Sequence, residues 1–485
     1  MSTRLAPRVA AGLALTASLS LAACAPDLGP RPQIRGPSAL ASATSIAGTA
    51  SERDWPQERW WLAYDDPQLD RLIETALQGS PDLAAALARV QQARGALQAS
   101  RSGLLPSIGA QGAADIAKQS YNNGTPAEFL PKGWKDYGTL ALSANWNLDI
   151  WGKNRALLAA ATSAGEAAVA EARQAELVLT SEVVSSYFDL ARLVERQKVL
   201  DDELAVRQSM VELTAKRVKQ GLETEAPLRQ ANAEVARARV QGAANLEQIA
   251  LRRHALAALL GAGPDATVDL TPPSVAAFPV TAVPANAGIA LAGRRPDIVA
   301  ARRTVEASAK GAEYARKSFL PDVSLSGLLG LTSLGIANLF DDGSDYGNAG
   351  AAVSLPIFQG GSLSGRYRIA TAGYDSMVAS YNKTVVQALQ EVADAIASRE
   401  SASLQERHSG EARDEAQAAY TLSVQRYKAG LTTYIDVLTA QTTELDARLS
   451  ALDSHFATLA SDVALKRALG GGYADDTHEK ATSDE

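Results

Sequence analysis

The chain carries a single cysteine in 485 residues, which excludes a disulfide framework. Histidine is almost as scarce. His254, His408, His455 and His478 lie far apart and give no zinc-ligand spacing. Neither a GxxxxGK[ST] phosphate loop nor a GxSxG nucleophile elbow occurs. Positive charge is not in excess: the formal net charge is −7, which argues against a nucleic-acid partner. Carboxylates are plentiful but fall mostly on helix faces, where solvation is the ordinary reading. No enzyme, metal site or bound cofactor is expected. Aromatic residues are only 5 % while alanine abounds, a balance suited to closely packed helices. Beyond the first 24 residues no run of eighteen apolar residues exists, so a transmembrane helix is excluded there. A membrane-spanning part would have to be a closed β-barrel.

What is present is a tandem repeat. Pro81-Asp82-Leu83 and Pro296-Asp297-Ile298 each open a helical stretch, and each stretch stops at a Leu-Pro (Leu105-Pro106, Leu320-Pro321), 215 positions on in both cases (81 to 296, 106 to 321). Arg217-Val218-Lys219-Gln220-Gly221-Leu222 matches Arg426-Tyr427-Lys428-Ala429-Gly430-Leu431, 209 positions later (217 to 426). Leu260-Gly261 matches Leu469-Gly470 at the same offset. Four ordered landmarks make a duplication of one unit.

Each half reads as a helix, a strand pair and two long helices. Leu140, Leu142, Trp146, Leu148 and Ile150 alternate with polar residues over 138–151. The same period of two runs through 322–331 and 348–358, and more weakly through 106–118. Loops 119–136 and 332–347, rich in Gly, Asn and Asp, resemble the outer loops of barrels. From Lys153 to Lys219 there is no proline, and 67 residues of helix span roughly 100 Å. Val378, Tyr381, Val385, Ala388, Val392 and Ala395 form a heptad seam. Leu445 to Val463 repeats that rhythm, and Leu228 to Gly242 follows it with small residues. Four two-faced strands are too few to close a barrel, for which about eight are needed. Several copies must therefore share one.

At the start of the chain, Arg4 and Arg8 precede a short apolar run, and Leu21-Ala22-Ala23-Cys24 resembles the lipobox of bacterial lipoproteins. Residues 1–23 are then a signal peptide, and Cys24 carries a diacylglyceryl and an N-acyl chain. Ala25, in place of an aspartate, favours the outer membrane.

Taken in order, Trp60-Trp61, DPQLDRLIETAL (66–77), PDLAAALARVQQAR (81–94), LDIWG (148–152), RRPDIVAARR (294–303), LPIFQGG (355–361), YKAGLTTYIDVLTAQ (427–441) and ALGGGY (468–473) resemble the TolC-type outer-membrane factors, in particular the lipoprotein branch that includes OprM and NodT. The resemblance covers nearly all of the chain beyond the signal peptide. It implies a mainly α protomer with a transmembrane β part: one third of a homotrimeric β-barrel continued by a long coiled-coil α-helical barrel in the periplasm. It also implies passive exit of small molecules, with a periplasmic adaptor and an inner-membrane transporter, often of the RND type, as partners. The expected layout is a lipidated linker at 24–60, a first repeat at 61–261, a linker at 262–284, a second repeat at 285–472 and a polar disordered tail at 473–485. By the resemblance, Tyr427 and Asp436 belong to a periplasmic gate. Thr432 stands where some relatives carry a gating arginine, and Thr439 where some carry a second acid. Asp436 reads equally as a helix-start carboxylate favoured by the macrodipole. The tips Gly221-Leu222-Glu223 and Gly430-Leu431-Thr432 are expected adaptor contacts, or simple reversal turns. A type I secretion duct shares the fold, and a non-conducting coiled-coil scaffold of the envelope shares the helices.

Overall fold

The computed structural model describes residues 26–46, 55–122, 124–271 and 283–475. The duplication shows in helix lengths. Helix α1 (Pro67–Gly79) precedes α2 (Pro81–Ser102), then β1 (Ser107–Ala117), β2 (Lys135–Asn147), α3 (Lys153–Lys219) and α4 (Glu225–Leu259). The second half runs α5 (Ala287–Arg294), α6 (Pro296–Lys317), β3 (Asp322–Leu334), β4 (Asp345–Ser354), α7 (Ser362–Lys428) and α8 (Tyr434–Ala468). Helices α2 and α6 both have 22 residues, α3 and α7 both 67, and α4 and α8 both 35.

The chain divides into two compact units. Among the described residues, the first comprises 26–34, 89–168 and 301–381, and contains the sheet. Its four strands lie in the order β1-β2-β3-β4, every pair antiparallel. The register puts Ile108, Leu142, Leu329 and Val353 on one face, with Gln111, Ser143, Thr332 and Asn348 on the other. The apolar face is uncovered: Ile108 is 77 % exposed and Val353 70 %. Strands β1 and β4 are the open edges.

The strand limits differ from the alternation at both ends. Strands β2 and β4 begin three residues early because pairing continues through Gly138 and Gly347, where the pattern has no side chain to show. Residues 148–151 are not strand. Asp149 takes φ 46°, and its carboxylate accepts from the amides of Asn154 (2.8 Å) and Arg155 (3.0 Å), turning the chain into α3. Strand β4 stops at Ser354, before Pro356, which has no N–H for a ladder.

Among the described residues, the second unit comprises 35–46, 55–88, 169–271, 283–300 and 382–475. Asp66 caps α1 by accepting from the amides of Gln68 and Leu69, with Pro67 at the first helical position. That helix buries Leu69, Leu72 and Ile73 against Val183, Tyr187 and Leu256 of the first hairpin and Phe456 and Leu459 of the second. Trp60 and Trp61 close this core, so the expected boundary at 61 splits a packed pair. The described parts of the expected linker are packed in places. Ile46 and Trp55 are buried, and Trp55 Nε1 donates to Asn286 Oδ1 at 3.2 Å. The proposed tail does not begin at 473. Tyr473 packs by Ala170 and Val299, and the amide of Asp475 donates to the Gly293 carbonyl at 3.0 Å. Residues 476–485, like Cys24 and the signal peptide, lie outside the described residues. The heptad seam from Val378 to Ala395 is buried at all six positions.

Candidate gate at the hairpin tips

Both long hairpins turn on a left-handed glycine. After α3, Gly221 (φ 72°) lets the Leu222 amide reach the Arg217 carbonyl at 2.9 Å. After α7, Gly430 (φ 75°) does the same for Leu431 and Arg426 at 2.8 Å. A Cβ at either glycine would be strained by that φ alone. Leu222 and Leu431 project into solvent at 61 % and 69 % exposure.

The two tips start their return helices differently. Thr224, before α4, makes no side-chain cap. Thr433, before α8, forms a full capping box with Asp436. Asp436 Oδ2 accepts from the Thr432 hydroxyl (2.6 Å), the Thr433 hydroxyl (2.7 Å) and the Thr433 amide (2.9 Å). These bonds hold its carboxyl down to about 2. Thr432 therefore braces Asp436. Because the folded value lies below the unfolded one, the cap is intact above about pH 4 and weakens only as pH falls through about 2.

Tyr427 is fully buried, packed with Met210, Ala231, Tyr434 and Val437. Its hydroxyl donates to Glu223 Oε2 at 3.4 Å, and burial pushes its phenol up. The Arg217 guanidinium lies 4.6 Å from the Tyr427 ring centroid, and its Nη1 donates to the Tyr427 carbonyl at 3.1 Å. The first hairpin thus grips the second through Arg217 and Glu223. Of the sequence-derived residues, Tyr427 and Glu223 meet, and Thr432 and Asp436 meet. The gripping arginine was missed, although it opens the repeated Arg217–Leu222 segment and aligns with Arg426.

A second polar cluster was also missed, and its carboxylates are exceptions to the reading that most lie on solvated helix faces. Glu203, Arg207 and Glu234 are buried between α3 and α4. Arg207 Nε donates to Glu203 Oε1 (2.5 Å), its Nη1 to Glu234 Oε2 (2.8 Å), and Gln441 Nε2 of α8 to Glu203 Oε1 (2.9 Å). Glu444 is buried as well, and burial raises both its carboxyl and that of Glu203. No group of three metal-ligating side chains occurs among the described residues.

A duplicated helical hairpin bearing a four-stranded sheet with open edges defines a protomer of an outer-membrane channel. The family model for outer membrane efflux proteins matches residues 72–262 and 290–471. The chain belongs to that family. It is 30 % identical over 473 residues to the multidrug resistance outer membrane protein MdtQ of Escherichia coli O157:H7, covering 94 % of this chain and 96 % of that one. It is 35 % identical to the fusaric acid resistance protein FusA of Burkholderia cepacia, over 74 % of this chain and 68 % of that one. The crystal structure of VceC from Vibrio cholerae superposes with a TM-score of 0.82 at 38 % identity, covering 86 % of this chain and all of that one. The chain is accordingly an outer-membrane channel component of efflux, working in tripartite systems with an adaptor and an inner-membrane pump. It is a conduit without a cofactor, not an enzyme.

Proposed function

We infer that three copies of this chain close one twelve-stranded barrel and one twelve-helix periplasmic duct, through which small toxic compounds leave passively. The uncovered apolar face and the two open edges of the sheet carry this reading. A strand edge buried in lipid without partners costs several kcal/mol per unsatisfied group, roughly, so each β1 must pair with the β4 of a neighbour. Head-to-tail pairing of that kind closes into a ring. Lipid on Cys24 tethers each copy to the outer membrane, and the long helices hang in the periplasm. Names of the relatives, multidrug resistance for MdtQ and fusaric acid resistance for FusA, support drug-like cargo. An RND pump is the proposed source of that cargo.

The purified protein should elute from detergent as a trimer and conduct ions in planar bilayers. A monomer that conducts nothing would leave only a coiled-coil scaffold. At the periplasmic end, Tyr427 and Asp436 form the gate, and three Asp436 carboxylates around a narrow bore repel one another and attract cations. Asp436→Ala is therefore expected to weaken block by multivalent cations and to raise single-channel conductance. Unchanged block and conductance would leave Asp436 as a cap only. The tips Gly221-Leu222-Glu223 and Gly430-Leu431-Thr432 are the adaptor seats. Cysteines placed at 223 and 432 should crosslink to a periplasmic adaptor in the cell envelope, and crosslinks formed only from other positions would move the seat elsewhere.

A further inference from the structure

The two ends of the sheet carry opposite charge. The antiparallel register brings the start of β1, the end of β2, the start of β3 and the end of β4 to one end, its foot. The segments there (101–106, 148–155, 313–322 and 355–368) hold seven Arg or Lys and three Asp or Glu. At the other end, segments 115–137 and 332–345 hold three Lys and six Asp or Glu. A foot of net +4 on a chain of net −7 is not an average surface.

The foot also has the anatomy of a membrane interface. Ile357 and Phe358, between β4 and α7, are 85 % and 88 % exposed. Trp146 and Trp151 present partly open rings, while their indole N–H groups donate to the carbonyls of Leu104 (3.1 Å) and Pro321 (2.8 Å). Tryptophan in that state suits the headgroup level of a bilayer. The three carboxylates are already engaged: Asp149 by Arg155, Asp322 by Lys153 (2.6 Å), and Glu313 by Lys317 (2.7 Å). Arg101, Arg316, Arg366 and Arg368 are exposed and have no carboxylate partner among the described residues. They are the surplus charge.

We propose that these four arginines form a docking surface for the phosphate headgroups of anionic phospholipids in the inner leaflet of the outer membrane. The inference rests on the sheet being the membrane-spanning part. A lipid on Cys24, itself part of the proposed function, is within reach of this level. Arg31 donates to the Tyr367 hydroxyl at 3.3 Å, one turn or so into α7, and the seven residues back to Cys24 reach at most about 25 Å. Arginine is the suited side chain, because its planar fork takes a phosphate bidentately and is only weakly hydrated. Anionic lipid near such a surface is enriched severalfold by each cation, and salt screens the effect.

The test uses the full-length protein with Trp134→Phe, which leaves Trp146 and Trp151 as the exposed tryptophans among the described residues. It is reconstituted in vesicles with brominated phosphatidylglycerol or brominated phosphatidylcholine. Phosphatidylglycerol should compete for the quenching sites about three- to tenfold better, and the preference should vanish in about 0.5 M salt. Arg101→Gln/Arg316→Gln/Arg366→Gln/Arg368→Gln should bring it to about one while quenching by phosphatidylcholine persists, and Lys118→Gln/Lys132→Gln should leave it unchanged. Equal competition by the two lipids in the Trp134→Phe protein, or a preference that survives salt, would overturn the headgroup site alone. Absence of quenching by either lipid would overturn the membrane-spanning reading and the site together.

Discussion

Tyr427→Ala is expected to raise single-channel conductance severalfold. The side chain is fully buried and links three partners, the Arg217 guanidinium, the Glu223 carboxylate and the Tyr434 ring, at 4.6, 3.4 and 6.2 Å. Removing a buried aromatic side chain costs about 3–5 kcal/mol, here shared between the grip on Arg217, Glu223, Met210 and Ala231 of the first hairpin and the packing on Tyr434 and Val437 of its own. With the grip lost, the tip of α7 is free to splay. Tyr427→Phe removes only the hydroxyl, whose bond to Glu223 is long, and should cost about 1 kcal/mol or less. Planar-bilayer recordings of the two variants separate packing from hydrogen bonding. Equal conductance in the native protein and the alanine variant would detach Tyr427 from the gate.

Arg207→Met is expected to destabilise the first hairpin by about 3–5 kcal/mol, because it leaves Glu203 buried without its bonded cation and Glu234 held only by the more exposed Arg237. Hydrogen exchange of the amides from 200 to 240 measures it. The loss should depend on pH with a definite sign. Burial raises the Glu203 carboxyl even with Arg207 beside it, and the guanidinium is its strongest opposing influence. An acid whose folded value exceeds its unfolded value binds its proton more tightly when folded, so stability falls as pH rises through that window. Without Arg207 the window widens upward. The variant should therefore be weakest near pH 8 and recover towards native protection near pH 5. Adding Glu203→Leu and Glu234→Leu should restore much of the loss at all pH values. A loss independent of pH would mean that packing, not charge, dominates at Arg207.

The elements that sequence periodicity can carry were legible. Helix α3 spans the proline-free stretch from Lys153 to Lys219, and the seam from Val378 to Ala395 is buried throughout. The alternating strands pair as expected, since one apolar and one polar face fix register. Where the backbone pairs through Gly138 and Gly347, side-chain patterning has nothing to register, and the strand ends were misplaced. Asp149 read as a wet-face strand residue because its role is set by backbone angle, not by hydropathy. At the tips, the glycines come from the internal repeat and Tyr427 from the resemblance, while Arg217 comes from neither, since a cation stacked on a ring leaves no periodic mark. Glu203, Glu234 and Glu444 carry no sequence mark of burial for the same reason. A charge on a long helix discloses its burial only when the facing helices are in place. Residues 24–60 illustrate the converse: they read as a linker, yet Ile46 and Trp55 within them are buried.

An unfinished sheet makes each subunit hostage to its neighbours. In the proposed trimer every β1 is completed by another chain's β4, so one defective copy interrupts the ring at two seams. A cell expressing native and edge-broken copies equally would build only about one intact pore in eight. Loss-of-function changes along these two strands should thus behave as dominant, whereas changes confined to the interior of a single hairpin should be masked by the native copy.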